Sequence, residues 1–163
     1  MPELNPKATA YADKLRVRVC GICIVEGKLL LVKHGQTVGN KVFWSPPGGG
    51  LTYGETMQEC LKRELLEETG LHVKVNRFLF VNEFLEPPLH ALEFFFEVSI
   101  TAGELATGSD PEVTQEQQLI EQVQWLSIKD ILAIPLSDKH RILQHLISLD
   151  DLLGMDHYFI SGK

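Results

Sequence analysis

The stretch that most restricts what this chain can become is GGGLTYGETMQECLKRELLEETGL, residues 48 to 71. Thr56 and Glu59 have the spacing of a capping box, and Gly70 stands where a left-handed terminator belongs, so the spacing predicts one helix from about Met57 to Thr69. At about 100° per residue, Cys60, Leu61 and Leu65 form the face turned to the core, and Glu64, Glu67 and Glu68 fall on that same side. Acids are poorly placed there. A helix C-terminus carries partial negative charge, which disfavours each exposed acid by roughly 0.3 to 1 kcal/mol. Like charges three and four residues apart repel, and burial of unpaired carboxylates drives them toward protonation. The simpler alternative is a solvated acidic helix end paired with Lys62 and Arg63. The inward facing favours a divalent cation instead, because Mg²⁺ takes hard oxygen ligands from a few carboxylates while keeping several waters. Arg63, one turn from both Glu59 and Glu67, is either an ordinary ion-pair partner or the group that holds Glu67 in position. Just upstream, Pro47-Gly48-Gly49-Gly50 forms a loop whose backbone can approach a ligand or metal closely.

Around this helix the chain alternates strands and turns. Arg16 to Val25 and Lys28 to Lys33 read as a hairpin about Glu26-Gly27. The prolines and glycines of FWSPPGGG predict a shaped loop without regular structure. Leu71 to Val81 and Leu92 to Thr101 read as strands connected by NEFLEPPLHA, and TAGELATGSDPEVTQEQ reads as a polar surface loop. Val123 to Leu126 is a short strand. Ser127 with Asp130 opens a brief helix that stops at Pro135, and Ser137 caps a longer one through Leu149. Hairpins imply antiparallel pairing, so the pattern predicts an α/β (α+β) fold with a mixed β-sheet covered by helices. Cys20 and Cys23 form a lone CxxC, but positions three apart in a strand face opposite ways, so both read as core residues.

With 163 residues, 44% of them hydrophobic, the chain fits a single domain over 1–163, residues 1–14 forming an N-terminal extension. A net charge of -7 excludes a general nucleic-acid binder, which needs many Lys and Arg contacts to phosphate. A phosphorylated small molecule fits if a metal supplies the positive charge. The opening MPELNPKATAYADK lacks the apolar stretch of a signal peptide, apolar runs are too short for a membrane span, and three cysteines suit a reducing compartment. The expectation is a cytoplasmic protein with no membrane partner.

Gly49, five residues, Glu55, seven residues, then Arg63-Glu64-Leu65-Leu66-Glu67-Glu68-Thr69-Gly70-Leu71 resembles the Nudix box, GX5EX7REUXEEXGU with U aliphatic, at every defined position. Trp44 before the glycine loop and Trp125-Leu126-Ser127 followed by helices also resemble the family's layout. Pro46 departs from it, since many members carry a larger apolar residue there. The resemblance implies an α/β/α sandwich that hydrolyses a nucleoside diphosphate linked to another group, using Mg²⁺ or Mn²⁺. It makes Glu64, Glu67 and Glu68 metal ligands, Gly49 a backbone contributor, Arg63 their orienting partner and Glu55 a supporting residue at the helix start. Cations bridging the diphosphate would neutralise its charge and lower the pKa of a bound water. Family members differ in the base: Glu67 comes first here, with Glu112 and Glu116 of the polar loop as alternatives whose ordinary reading is solvated acids.

Pro87, sixteen positions past Leu71, resembles the subgroup that cleaves ADP-ribose, and equally reads as a turn. Phe84, His90 and Phe94 are candidates to stack a base or ribose, whereas Phe95 and Phe96 read as packing. ADP-ribose-like or sugar nucleotides therefore stand first as substrates. Nucleoside triphosphates, including oxidised ones, stand second, and a non-catalytic nucleotide-binding module on the same fold stands third. A homodimer is implied by resemblance only.

Overall fold

Alternation in LRVRVCGI sets the first strand, β1 (Lys14–Ile22): Val19 faces one apolar core and Cys20 and Ile22 face another. The computed structural model describes residues 10–35, 42–107 and 120–155, with the backbone of 158–160. After β1, the chain makes a tight hairpin between β2 (Ile24–Val25) and β3 (Lys28–His34). Glu26 and Gly27 take φ of 50° and 73° there, the sign a two-residue hairpin turn needs. The hairpin is where the sequence puts it, but β1 and β2 belong to different sheets. Cys23 lies at the crossing, and its carbonyl accepts from the Leu30 N–H at 3.0 Å.

The remaining strands are β4 (Phe43–Ser45), β5 (Gly48–Gly50), β6 (Leu71–Glu86), β7 (Leu89–Gly103), β8 (Ile120–Ser127) and β9 (Tyr158–Ile160). One sheet runs β5-β1-β7-β6-β9, with parallel pairs β1/β7 and β6/β9 and the rest antiparallel. The other is antiparallel, with β3 between β8 and the shorter β2 and β4. Helix α1 (Met57–Thr69) buries Cys60, Leu61 and Leu65 against Val19, Val73 and Val98. The opposite core joins Ile22, Leu29, Phe80 and Phe95 to Ile131 of α2 (Ile128–Ala133) and Leu152 of α3 (Asp150–Gly154). Phe80 and Phe95 stack there at 4.7 Å between ring centroids. Full burial of such side chains stabilises by about 1.5 to 3 kcal/mol each, so helices on both sides of the strands are held mainly by apolar contact. No helix among the described residues is long and apolar enough to cross a membrane.

Three expectations need correction. FWSPPGGG is not wholly irregular: Pro46 and Pro47 separate two short strands, and Gly48–Gly50 pair with Cys20, Val19 and Arg18. A Cβ on Gly48 would collide with the Val19 carbonyl and the Cys20 Cα, so the missing side chain is what lets this edge pair closely. NEFLEPPLHA is mostly strand, because β6 and β7 continue to a turn holding only Pro87 and Pro88, joined by a cis peptide bond. Finally, the segment from Ser137 to Leu149 is no single helix. It makes 3-10 turns at Leu136–Asp138 and Arg141–Leu143, since Lys139 and His140 are drawn inward and the His140 N–H donates to the Trp44 carbonyl at 2.8 Å.

Candidate active site

Both ends of α1 are fixed by local hydrogen bonds. Thr56 Oγ1 accepts from the Glu59 N–H at 3.2 Å, while Glu59 Oε2 accepts from the Thr56 N–H at 2.8 Å. Gly70, at φ 75°, closes the helix with its N–H on the Leu66 carbonyl. With Glu59 used in the cap, Arg63 turns to the other acids. Its Nε donates to Glu55 Oε1 at 2.7 Å and its Nη2 to Glu55 Oε2 at 3.0 Å. Its Nη1 reaches Glu64 Oε1 at 2.8 Å and Glu67 Oε2 at 3.3 Å.

The last turn of α1 lies against β5. Glu68 is buried and accepts from the Gly48 N–H at 3.0 Å. The Glu64 carboxylate rests where a Cβ of residue 49 would otherwise be, so only glycine lets backbone and acid share that space. Glu64, Glu67 and Glu68, grouped by helical spacing in the sequence, thus lie on the side of α1 that meets the glycine strand. Burial raises the Glu64 carboxyl above its ordinary value; Arg63 opposes that rise and the neighbouring Glu67 adds to it. Hydrogen bonding to Arg63 lowers Glu55. One guanidinium therefore serves three acids, and in this arrangement it draws Glu64 and Glu67 toward itself. Among the described residues no three His, Cys, Asp or Glu side chains converge as a ready-made metal cluster.

The other candidates scatter. Phe84 lines a cleft of about 370 Å³ with Phe43, Asn82, Lys139, Arg141 and Gln144. His90 bonds Glu83 at 3.0 Å on the opposite face from Phe84, and Pro87 occupies the β6–β7 turn. Phe94 packs near Phe78 at 6.3 Å, while Phe95 is fully buried and Phe96 sits beside the α1 core. Glu112 and Glu116 lie outside the described residues. Cys20 and Cys23 point into different cores, and burial pushes the Cys23 thiol up to about 11, so neither presents a thiolate at neutral pH.

Sequence reasoning missed a polar cluster on the face of this sheet turned away from α1. Arg18 pairs in register with Gly50 on one side and Glu93 on the other. Glu93, 2% exposed, accepts from His140 Nε2 at 2.6 Å and Asn82 Nδ2 at 3.0 Å, and its other oxygen lies 3.4 Å from Arg18 Nη1. Burial alone would raise this carboxyl, but His140, then Arg18 and Asn82, outweigh it and hold it down to about 2. Arg16, two residues earlier on the same face, stacks on Tyr11 at 3.6 Å. The signal was there to find: RVRVC puts both arginines on one side of β1, and Glu93 interrupts an apolar run.

A model of the NUDIX domain matches residues 14–146. Phosphatase NudJ of Escherichia coli K12 is 30% identical over 120 residues, covering 73% of this chain and 72% of that protein. A NUDIX hydrolase from Nitrosomonas europaea superposes with a TM-score of 0.71 at 23% identity, over 88% of this chain and 93% of that one. An ADP-ribose pyrophosphatase from Streptococcus suis superposes at 0.61 with 17% identity, over 90% of this chain and 98% of that one. The two structural likenesses speak for the fold.

Proposed function

The chain belongs to the NUDIX family of hydrolases acting on phosphoric anhydrides, and from that premise we propose that it cleaves the diphosphate linkage of a nucleoside diphosphate joined to another group, with a divalent cation held by the acids of α1. The observation that carries this reading is the inward set Glu64, Glu67 and Glu68 against Gly48 and Gly49, within a complete box from Gly49 to Leu71.

The donor set suits Mg²⁺ or Mn²⁺: carboxylate and carbonyl oxygens only, partly desolvated, with more negative charge than Arg63 can neutralise. Glu64, Glu67, Glu68 and the Gly49 backbone would hold the ion, Glu64 and Glu67 swinging off Arg63 to do so. When bound, such a cation neutralises the diphosphate and acidifies a coordinated water. The chain's own residues do the rest. Arg63, clamped on Glu55 by two bonds, keeps a positive charge beside Glu64 and Glu67. Glu67, at 28% the most exposed of the three acids, takes the proton from the attacking water. Water oxygen bonds to phosphorus as the bridging P–O bond breaks, giving a nucleoside monophosphate and a phosphorylated remainder. The name of the Streptococcus suis neighbour is consistent with ADP-ribose-like substrates, and Phe84 beside the cleft is consistent with a base held there.

The test is product release from a panel of nucleoside diphosphate derivatives and nucleoside triphosphates, with Mg²⁺, Mn²⁺ or chelator. Turnover of at least one substrate with cation only is expected, and Glu67→Gln and Glu68→Gln should each lower kcat strongly while circular dichroism stays unchanged. Full activity in both variants would defeat the assignment.

A further inference from the structure

Among the described residues, two buried side-chain nitrogen or oxygen atoms lack a hydrogen-bond partner, Asn82 Oδ1 and Arg18 Nε, and both belong to the Glu93 cluster. Every direction in that cluster is determined. The Ile142 N–H donates to His140 Nδ1 at 3.2 Å, so the ring proton sits on Nε2, where it is given to Glu93. An ionised carboxylate accepts only, so the group Asn82 turns to Glu93 must be its amide nitrogen. Its Oδ1 is thereby locked the other way as an acceptor. Asn82 is fully buried and lines the cleft shared by Phe43 and Phe84. Native proteins pair such atoms in nearly every case.

We propose that Asn82 Oδ1 is the acceptor that reads a nucleobase in this cleft, taking an N–H from an exocyclic amino group, with Phe43 and Phe84 supplying apolar ring surface for the base. Adenine, guanine and cytosine each carry such an amino donor at a ring edge. This inference rests on the nucleotide-hydrolase reading for the class of ligand, and it adds Asn82 as the specificity-determining residue and Glu93 as the residue that positions it.

The test measures calorimetric binding of three nucleotide pairs without metal: AMP, GMP and CMP, each against the analogue with hydrogen in place of its exocyclic amino group. The wild type is expected to prefer the amino member of at least one pair by on the order of 5- to 150-fold, the range for leaving a buried acceptor unmet. Asn82→Leu removes the acceptor. Asn82→Ala removes it as well and leaves Glu93 its contacts with His140 and Arg18. Both variants should bring that ratio to within about threefold, whereas a merely structural role would weaken both members of a pair equally. If Asn82→Leu fails to fold, Asn82→Ala decides alone. No preference in any wild-type pair, or a preference that survives in the folded variants, overturns the proposal. Turnover of anhydrides without such a preference defeats this inference and leaves the hydrolase reading standing, while preference without turnover does the reverse.

Discussion

Arg63→Lys keeps the charge at the centre of the acid cluster and removes its fork. Arginine spans three partners at once, two bonds to Glu55 at 2.7 and 3.0 Å, one to Glu64 at 2.8 Å and one to Glu67 at 3.3 Å. A lysine ammonium is a single point on a flexible stem and can keep only one of these partners in good geometry. Two of the three carboxylates lose their charge-assisted bonds. Buried, each contributes roughly 1.5 to 3 kcal/mol. The Arg63 side chain is 33% exposed, so solvent screening brings each toward about 1 kcal/mol. The expected loss is about 2 kcal/mol of unfolding free energy in chelator, read from urea melts. Saturating Mg²⁺ should reduce that loss, because the cation re-partners Glu64 and Glu67. Activity should fall about 10- to 100-fold, as it does when groups behind metal ligands are changed. A variant with wild-type urea midpoint and kcat would refute the role given to Arg63.

Other variants separate fold from chemistry. Glu64→Gln should raise metal-free stability, because burial lifts the Glu64 carboxyl and its charged form is disfavoured; thermal melts in chelator against Mg²⁺ should show that gain and a lost response to cation. Gly49→Ala places a methyl in the Glu64 carboxylate and should lower kcat with little change in Tm, whereas Gly48→Ala strikes the backbone of Val19 and Cys20 and should destabilise by more than about 2 kcal/mol. The Glu93 carboxyl sits at about 2 instead of 4.5. A folded-state value depressed in this way gives stability that is present above pH 4.5 and is lost as pH falls toward 2. The amount is on the order of 3 kcal/mol, and Glu93→Gln should flatten that acid limb in urea melts taken across the range.

Helix α1 was legible to the residue because its information is local: a capping box, a glycine terminator and a periodic apolar face. The same locality disclosed the three inward acids. What sequence could not show was set by pairing across distance. Gly48–Gly50 become a strand only because Arg18 to Cys20 lie alongside, and the Ser137–Leu149 segment bends because Lys139 and His140 have partners elsewhere, the Ile131 carbonyl for Lys139 Nζ and Glu93 for His140 Nε2. The Arg18, Asn82, Glu93 and His140 cluster draws on three strands and a loop spread along the chain, so no spacing rule reveals it. Phe84 and His90, neighbours in the sequence, lie on opposite faces for the ordinary reason that strand side chains alternate once register is fixed.

The most direct measurement is Mn²⁺ binding followed by electron paramagnetic resonance of the free ion, in wild type and in Glu64→Gln and Glu68→Gln. Saturable binding by the wild type, weakened at least about tenfold in each variant, is expected if these carboxylates hold the ion. Equal Mn²⁺ affinity in all three proteins, or anhydride hydrolysis that continues in excess chelator, would contradict it.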